Sequence, residues 1–303
     1  MTTREMSRPP NSLPLFAKAY ARAVFSMLPG SSQVAAMPGI SRLPFVPGRS
    51  RDVPDLELVM RDVAVDPDHL RAYNRVCHIP DSGELPVTYP FVLAFPLHMA
   101  LLTDDEFPFS PIGIVHIGNR IIRHRPIGAD ERLDLRVHAT GLEPHPKGQQ
   151  FSIVTEIRST GELVWECDSL IFRRGPSGGV ERTPETSFPK PPTVERWDVP
   201  GDIGRRYGAI GGDRNPIHLY PLTARPFGYT RPIGHAMWVT ARCLGALSDR
   251  LPKALVTEAQ FKRPMLLPTT VEFAWTEEQD TIRFGVYDAK SDKPHLVGTV
   301  KPC

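Results

Sequence analysis

The sequence predicts a duplicated α+β fold, two copies of one plan in which an apolar helix precedes a run of antiparallel strands. Three observations carry this. The order of apolar stretch followed by alternating strand candidates occurs twice; a proline-rich break at 175–200 separates the two occurrences; and 303 residues suffice for two buried cores without metals or disulfides.

In the first copy the apolar stretch covers 91–102, and strand candidates follow at 131–140, 150–159 and 163–172. In the second, a helix is expected over 235–248 with Ala236, Val239, Cys243 and Leu247 on one stripe, and strands at 255–262, 270–275, 281–287 and 295–300. A helix of about 14 residues spans roughly 21 Å, long enough for a curved sheet to wrap around. The break at 175–200 holds six prolines with Ser, Thr and Gly and no periodicity, as a connector does. Proline is abundant throughout, 33 residues against a usual level of about 5% of a chain.

Ahead of the first copy lies a basic arm, 1–54. Residues 1–51 carry seven basic side chains and one acid, Glu5. Within it, 13–28 places Phe16, Tyr20, Val24 and Met27 at helical spacing, with Lys18 and Arg22 on another face. Such a helix either lies on a membrane surface, serves as a transit segment, or packs on the body of the protein. Residues 29–54 read as a proline- and glycine-rich linker. The divisions are therefore 1–54, 55–174, 175–200 and 201–303.

Composition excludes several classes. Hydrophobic residues at 41% and charged residues at 23% describe a globular chain, and no stretch approaches the roughly 18 apolar residues of a membrane span, so no integral membrane association is expected. A net charge of +2 makes a nucleic-acid specialist a poor reading. The basic cluster Arg120, Arg123, His124 and Arg125 has no stacking aromatics and reads as a solvated strand edge or, alternatively, a contact for coenzyme A phosphates. Cys77, Cys167, Cys243 and Cys303 form no C-x-x-C pair, and the histidines show no metal-binding spacing, so neither a metal nor a disulfide framework is expected and a cytoplasmic location is the simplest. Residues 175–179 match G-x-S-x-G, but they lead into the connector, whereas a nucleophile elbow leads into a helix. Cys77 and His78, adjacent in sequence, diverge as i and i+1 side chains and make a poor nucleophile pair.

The chemistry is concentrated in the second copy. Asp213, Asn215, Pro216 and His218 fall within six residues. On a regular helix Asp213 and His218 would point about 140° apart, and on a strand to opposite faces. Pro216 breaks regular structure, so a tight turn can bring carboxylate, amide and imidazole around one point. A carboxylate and an imidazole on one water suit acid–base chemistry; an Asx turn with a core histidine is the plainer reading. Downstream, Pro232, Gly234 and His235 enter the apolar helix, whose first N–H groups lack internal partners and can hold a developing oxyanion. That second feature favours a reaction centre.

The run Y-x-x-x-x-G-D-x-N-P-I-H from Tyr207 to His218, followed by P-I-x-H-x-M from Pro232 to Met237, resembles the hydratase-2 motif of the MaoC-like dehydratases, the hot-dog family of (R)-specific enoyl-thioester hydratases. The likeness implies a double hot dog, two sheets each wrapped around one long helix, with catalysis in the C-terminal repeat and the acyl chain housed by the N-terminal one. The first repeat echoes only Pro96, His98 and Met99, with Val76 to Pro80 where the motif should stand, and is expected to be silent.

Carried over by motif position, Asp213 and His218 hold and activate a water, Asn215 shapes the turn, and the backbone N–H of Ala236 serves as oxyanion donor where the family has glycine. Gly211 stands where serine is frequent. Gly234 and His235 are expected to contact the substrate, with Lys262 and Arg263 eligible for coenzyme A phosphates. The implied reaction is reversible hydration of trans-2-enoyl thioesters to (R)-3-hydroxyacyl thioesters in fatty-acid metabolism, with no cofactor beyond the coenzyme A or acyl carrier protein of the substrate. A hot-dog acyl-CoA thioesterase and a non-catalytic acyl-thioester-binding subunit are the rival readings, and a homodimer is left open.

Overall fold

A computed structural model describes residues 1–27, 52–175, 179–181 and 189–303 of the chain. The first repeat opens with β2 (Leu56–Val63), which β1 (Thr2–Glu5) extends in parallel. Helices α2 (Pro67–Cys77) and α3 (Tyr89–Leu102) follow, then β3 (Ile114–Arg123), β4 (Leu133–Ala139), the short β5 (Glu143–His145), β6 (Gly148–Ser159) and β7 (Glu162–Arg174). The second repeat runs β8 (Thr193–Val199), α4 (Ile203–Gly211), a 3-10 turn Pro216–His218, α5 (Pro221–Ala224), α6 (Ala236–Ala246), β9 (Leu255–Phe261), β10 (Thr269–Glu278), β11 (Thr281–Asp288) and β12 (Pro294–Pro302).

The duplication is visible in the sheet. The order is β1-β2-β4-β6-β7-β3-β9-β12-β11-β10-β8, with β5 attached to β6. β2-β4-β6-β7-β3 and β8-β10-β11-β12-β9 are the same order in the two repeats, and the repeats meet where β3 pairs antiparallel with β9, Gly118 opposite Gln260 through Arg123 opposite Leu255. This is a double hot dog. Each repeat wraps a helix whose apolar residues face all round, because a helix enclosed by a sheet has no solvent side: α3 buries Phe91, Leu97 and Leu101, and α6 buries Trp238, Val239 and Leu244. The two cores are continuous, and each fully buried leucine contributes about 2 kcal/mol. Across the join, Trp238 Nε1 donates to the Val76 carbonyl at 3.0 Å, and His69 bridges the Tyr89 hydroxyl and the Ile210 carbonyl, each at 2.9 Å. No helix among the described residues is long and apolar enough to cross a membrane.

Several expectations change. The strand Thr193–Val199 lies inside the segment read as connector; it pairs with β10 from Thr269 opposite Val199, and its exposed face hid the alternation. A strand precedes the helices in both repeats, so the plan is strand, helices, meander. β3 is not a solvated edge, since β7 and β9 flank it, and its basic residues are spent within the protein. Arg120 faces Glu258, Arg123 donates to the Pro252 and Lys253 carbonyls, His124 meets Glu166, and Arg125 meets Glu131 and Glu162. These intramolecular partners compete with the coenzyme A phosphate reading of this cluster.

The arm helix α1 (Ser12–Met27) packs on the body, with a different stripe from the one expected. Phe16, Ala19, Arg22 and Ala23 are buried, while Tyr20 and Val24 are 38% and 52% exposed. The Arg22 guanidinium decides this register. It donates to the Thr103 and Asp104 carbonyls at the C-terminal end of α3 and to Asp105, where the helix dipole favours a cation. The side chain of Met27, the linker up to residue 51, and residues 176–178 of the G-x-S-x-G match lie outside the described residues.

Candidate active site

The turn after α4 is built by local hydrogen bonds. Asn215 N–H donates to Asp213 Oδ1 at 3.0 Å, and Ile217 N–H to Asn215 Oδ1 at 3.4 Å, so the Asx turn of the plainer reading exists. Pro216 starts the 3-10 turn that ends at His218. The same turn brings the acid and the base together: Asp213 Oδ2 lies 3.8 Å from His218 Nε2. That is too long for a direct hydrogen bond, and short enough for one water to touch both.

Backbone contact between α4 and the turn requires two glycines. A Cβ on Gly204 would stand 2.1 Å from the His218 carbonyl oxygen, and one on Gly208 2.6 Å from that of Asp213. Sequence reasoning missed both, although the spacing of four on a short helix is the signature of close approach on one face. At the C-cap of α4, Gly212 takes the left-handed conformation with φ 78°, which suits glycine, and packs against Phe95 of α3. At Gly211, where serine is frequent in the family, a Cβ would meet the Tyr207 ring at 2.9 Å.

The protonation pattern follows from the partners. His218 Nδ1 lies 2.7 Å from the Ile233 carbonyl, which only accepts, so Nδ1 carries the hydrogen and Nε2 presents a lone pair toward Asp213. Burial pushes the His218 pKa below its usual value, opposed by the Asp213 charge and the Ile233 bond. His235 stacks on it, ring centroids 3.6 Å apart and planes 25° from parallel. Its Nε2–H donates to the Asp213 carbonyl at 3.0 Å, its Nδ1 is buried without a partner, and burial followed by the His218 charge pushes its pKa well down. Both rings are therefore neutral at pH 7. His235, expected to contact the substrate, lines the cavity, and its Nε2–H also braces the turn through the Asp213 carbonyl.

Asp213, His218 and His235 place donor atoms within 4.8 Å of one another, a set a cation could use. The bond from His235 to the Asp213 carbonyl engages its Nε2, leaving the Asp213 carboxylate and His218 Nε2 as the free donors of this set.

Ala236 is the first residue of α6, so its N–H has no acceptor within the helix. The entry segment is pinned by Ile233 N–H to Ile217 O at 2.9 Å and Gly234 N–H to Met265 O at 2.9 Å, which fixes the helix tip against the turn that ends at His218. A cavity of about 310 Å³ is lined by Asp213, Asn215, His218, Gly234, His235 and Ala236 together with Lys262 and Arg263, the residues after β9. All eight residues singled out in the sequence thus lie in one place. The cavity continues into the first repeat past Phe91, Phe95 and Met99 of α3, and includes His116 of β3, which the sequence did not single out. A register shift between His116 and Gly118 marks a bulge there. Cys77 is buried and its thiol pushed up to about 12 by desolvation, which disposes of a nucleophile at that position.

Fold and site define a double hot-dog protein with an acid–base turn at the tip of its second central helix. The MaoC like domain matches residues 180–298. The 3-hydroxyacyl-thioester dehydratase X of Mycobacterium tuberculosis is 32% identical over 263 residues, 86% of this chain and 93% of the relative. The crystal structure of HtdX from the same organism superposes with TM-score 0.74 at 29% identity, covering 82% of this chain and 100% of that one. A MaoC-like dehydratase from Phytophthora capsici shares the fold, with TM-score 0.70 at 17% identity over 83% of this chain and 96% of that one. The chain belongs to the MaoC-like dehydratases.

Proposed function

We propose that the protein hydrates trans-2-enoyl thioesters, and in reverse dehydrates (R)-3-hydroxyacyl thioesters, at the turn Asp213 to His218. The carrying observation is the 3.8 Å gap between Asp213 Oδ2 and His218 Nε2 inside the cavity that also holds the Ala236 N–H. A water there donates one hydrogen to the carboxylate and one to Nε2, which leaves an oxygen lone pair for C3 of the enoyl group. As the O–C3 bond forms, His218 takes the proton from the water, and the thioester carbonyl gains charge as an enolate against the Ala236 N–H. The proton returns to C2 from the same face, so water adds across the double bond with no other reactant. One fixed face for both additions gives one stereoisomer.

Lys262 and Arg263 are assigned to the phosphates of coenzyme A or of an acyl carrier. The chemistry calls for no cofactor beyond that carrier. The buried free thiols of Cys77, Cys167 and Cys243 suit a reducing compartment, in keeping with a cytoplasmic location.

Mixing the purified protein with an enoyl-CoA is expected to bleach the conjugated thioester absorbance and yield the (R) product on chiral analysis. Release of free coenzyme A thiol without hydration would assign it to the thioesterases, and binding with no turnover would make it a carrier subunit.

A further inference from the structure

The geometry points to α1, through Phe16, as the end wall of the acyl cavity and the element that sets the longest chain accepted. This rests on the hydratase reading of the site. The cavity has a polar end, at Asp213, His218 and Ala236, and an apolar course along α3. Phe95 marks the catalytic level, since it packs against Gly212 beside Asp213. Met99 and Leu102 lie one and two turns further along the same helix and also line the cavity, about 10 Å from the level of Phe95 at 1.5 Å per residue. Phe16 and Ile112 also belong to the lining, and α1, which carries Phe16, is bonded to Thr103, Asp104 and Asp105 directly after Leu102. Phe16 comes from the arm, outside both repeats.

The wall is fixed in place. Six residues after Phe16, Arg22 is only 1% exposed and holds the end of α3 through the Thr103 and Asp104 carbonyls and Asp105. Lys18 reaches Asp105 at 2.7 Å, and the Ser110 hydroxyl donates to the Ala19 carbonyl at 2.8 Å, tying α1 to the segment that carries Ile112. A helix fastened to the same elements that form the far end of the cavity cannot swing aside for a longer chain without breaking these bonds. Phe16 itself is 9% exposed among buried neighbours, as a side chain facing an internal space is.

The test compares the unaltered protein with Phe16→Ala and Phe16→Trp. Hydration of enoyl-CoAs from four to sixteen carbons is measured alongside binding of the matching saturated acyl-CoAs, which cannot be hydrated. Phe16→Ala is expected to raise the ratio of kcat/KM for long over medium chains and to tighten the long saturated ligands about fourfold for each methylene admitted. Phe16→Trp is expected to shift both profiles toward shorter chains. Unmoved profiles in both variants, with far-UV circular dichroism like that of the unaltered protein, overturn the assignment of α1 while leaving the hydratase reading intact. Failure of the unaltered protein to hydrate any chain length while it still binds saturated acyl-CoAs removes the reaction, and the binding profiles then decide the role of Phe16 separately.

Discussion

His218 and His235 stack face to face at 3.6 Å with one hydrogen-bonded to the Ile233 carbonyl and the other to that of Asp213. Two protonated rings at that distance would repel, so the stack disfavours protonation of His235, while burial keeps His218 a free base near neutrality. His235→Ala removes both the stack and the bond to the turn. It is expected to lower kcat at least tenfold with little change in KM, and to cost about 2–4 kcal/mol of stability, measured by urea unfolding. A loss confined to KM would place His235 on the substrate instead.

The proposed pair Asp213 and His218 gives a pH signature. Because burial lowers the His218 pKa, hydration should hold at neutral pH and fall on the acid side at a pH below the usual histidine value of about 6.5. Asp213 raises the His218 pKa, so Asp213→Asn should move the acid limb further down while cutting turnover by about 10²–10⁴. His218→Ala should abolish the limb altogether. An acid limb that stays put in Asp213→Asn argues against electrostatic contact between the two.

The N–H proposed as oxyanion donor can be removed without disturbing its helix. Ala236 is the first helical residue, a position proline tolerates, and His235 before it has the extended conformation that precedes proline. Ala236→Pro should therefore keep the melting temperature within a few degrees and reduce kcat by about 10²–10³. Full activity in a folded Ala236→Pro protein excludes this N–H from the reaction.

Close backbone approach makes Gly204 and Gly208 sensitive. Gly208→Ala puts a methyl into the Asp213 carbonyl and Gly204→Ala one into that of His218. Either should destabilise by about 1–3 kcal/mol and displace the turn, with kcat falling more than thermal stability alone explains. Alanine at both positions with unchanged kinetics contradicts this packing.

Buried histidines of the first repeat predict acid sensitivity. Desolvation lowers His98 to about 3 and His116 to about 4. The unfolded chain takes up these protons near 6.5 and the folded chain does not, so stability is unaffected above that pH and falls as pH drops toward 4 and 3, on the order of a few kcal/mol per group. Urea midpoints between pH 8 and 4 should trace that descent; a flat profile would show that these rings are solvated.

Much of the site was legible because its parts are adjacent in the chain. Asp213, Asn215, Pro216 and His218 make their own turn, and Gly234 to Ala236 start their own helix, so local rules applied to a single segment suffice. The central helices were equally plain, since enclosure by a sheet demands apolar residues on every side. What escaped depends on neighbours distant in sequence. β8 has an exposed face and acquires its identity only by pairing with β10. Arg22 belongs to the solvent face of an isolated helix, and only the carbonyls at the end of α3 make its burial favourable.

By itself, then, the sequence determined the duplication, the two core helices and an acid–base turn held next to a helix tip. Tertiary structure decided the rest: that β3 meets β9 and joins the repeats, that His235 bonds the Asp213 carbonyl and stacks on His218, and that Phe16 of the arm helix reaches the lining of the cavity. The physical reason is range. Turn and helix chemistry act over a few residues and are written in local order, whereas burial, charge neutralisation and cavity shape arise from groups that only folding brings together.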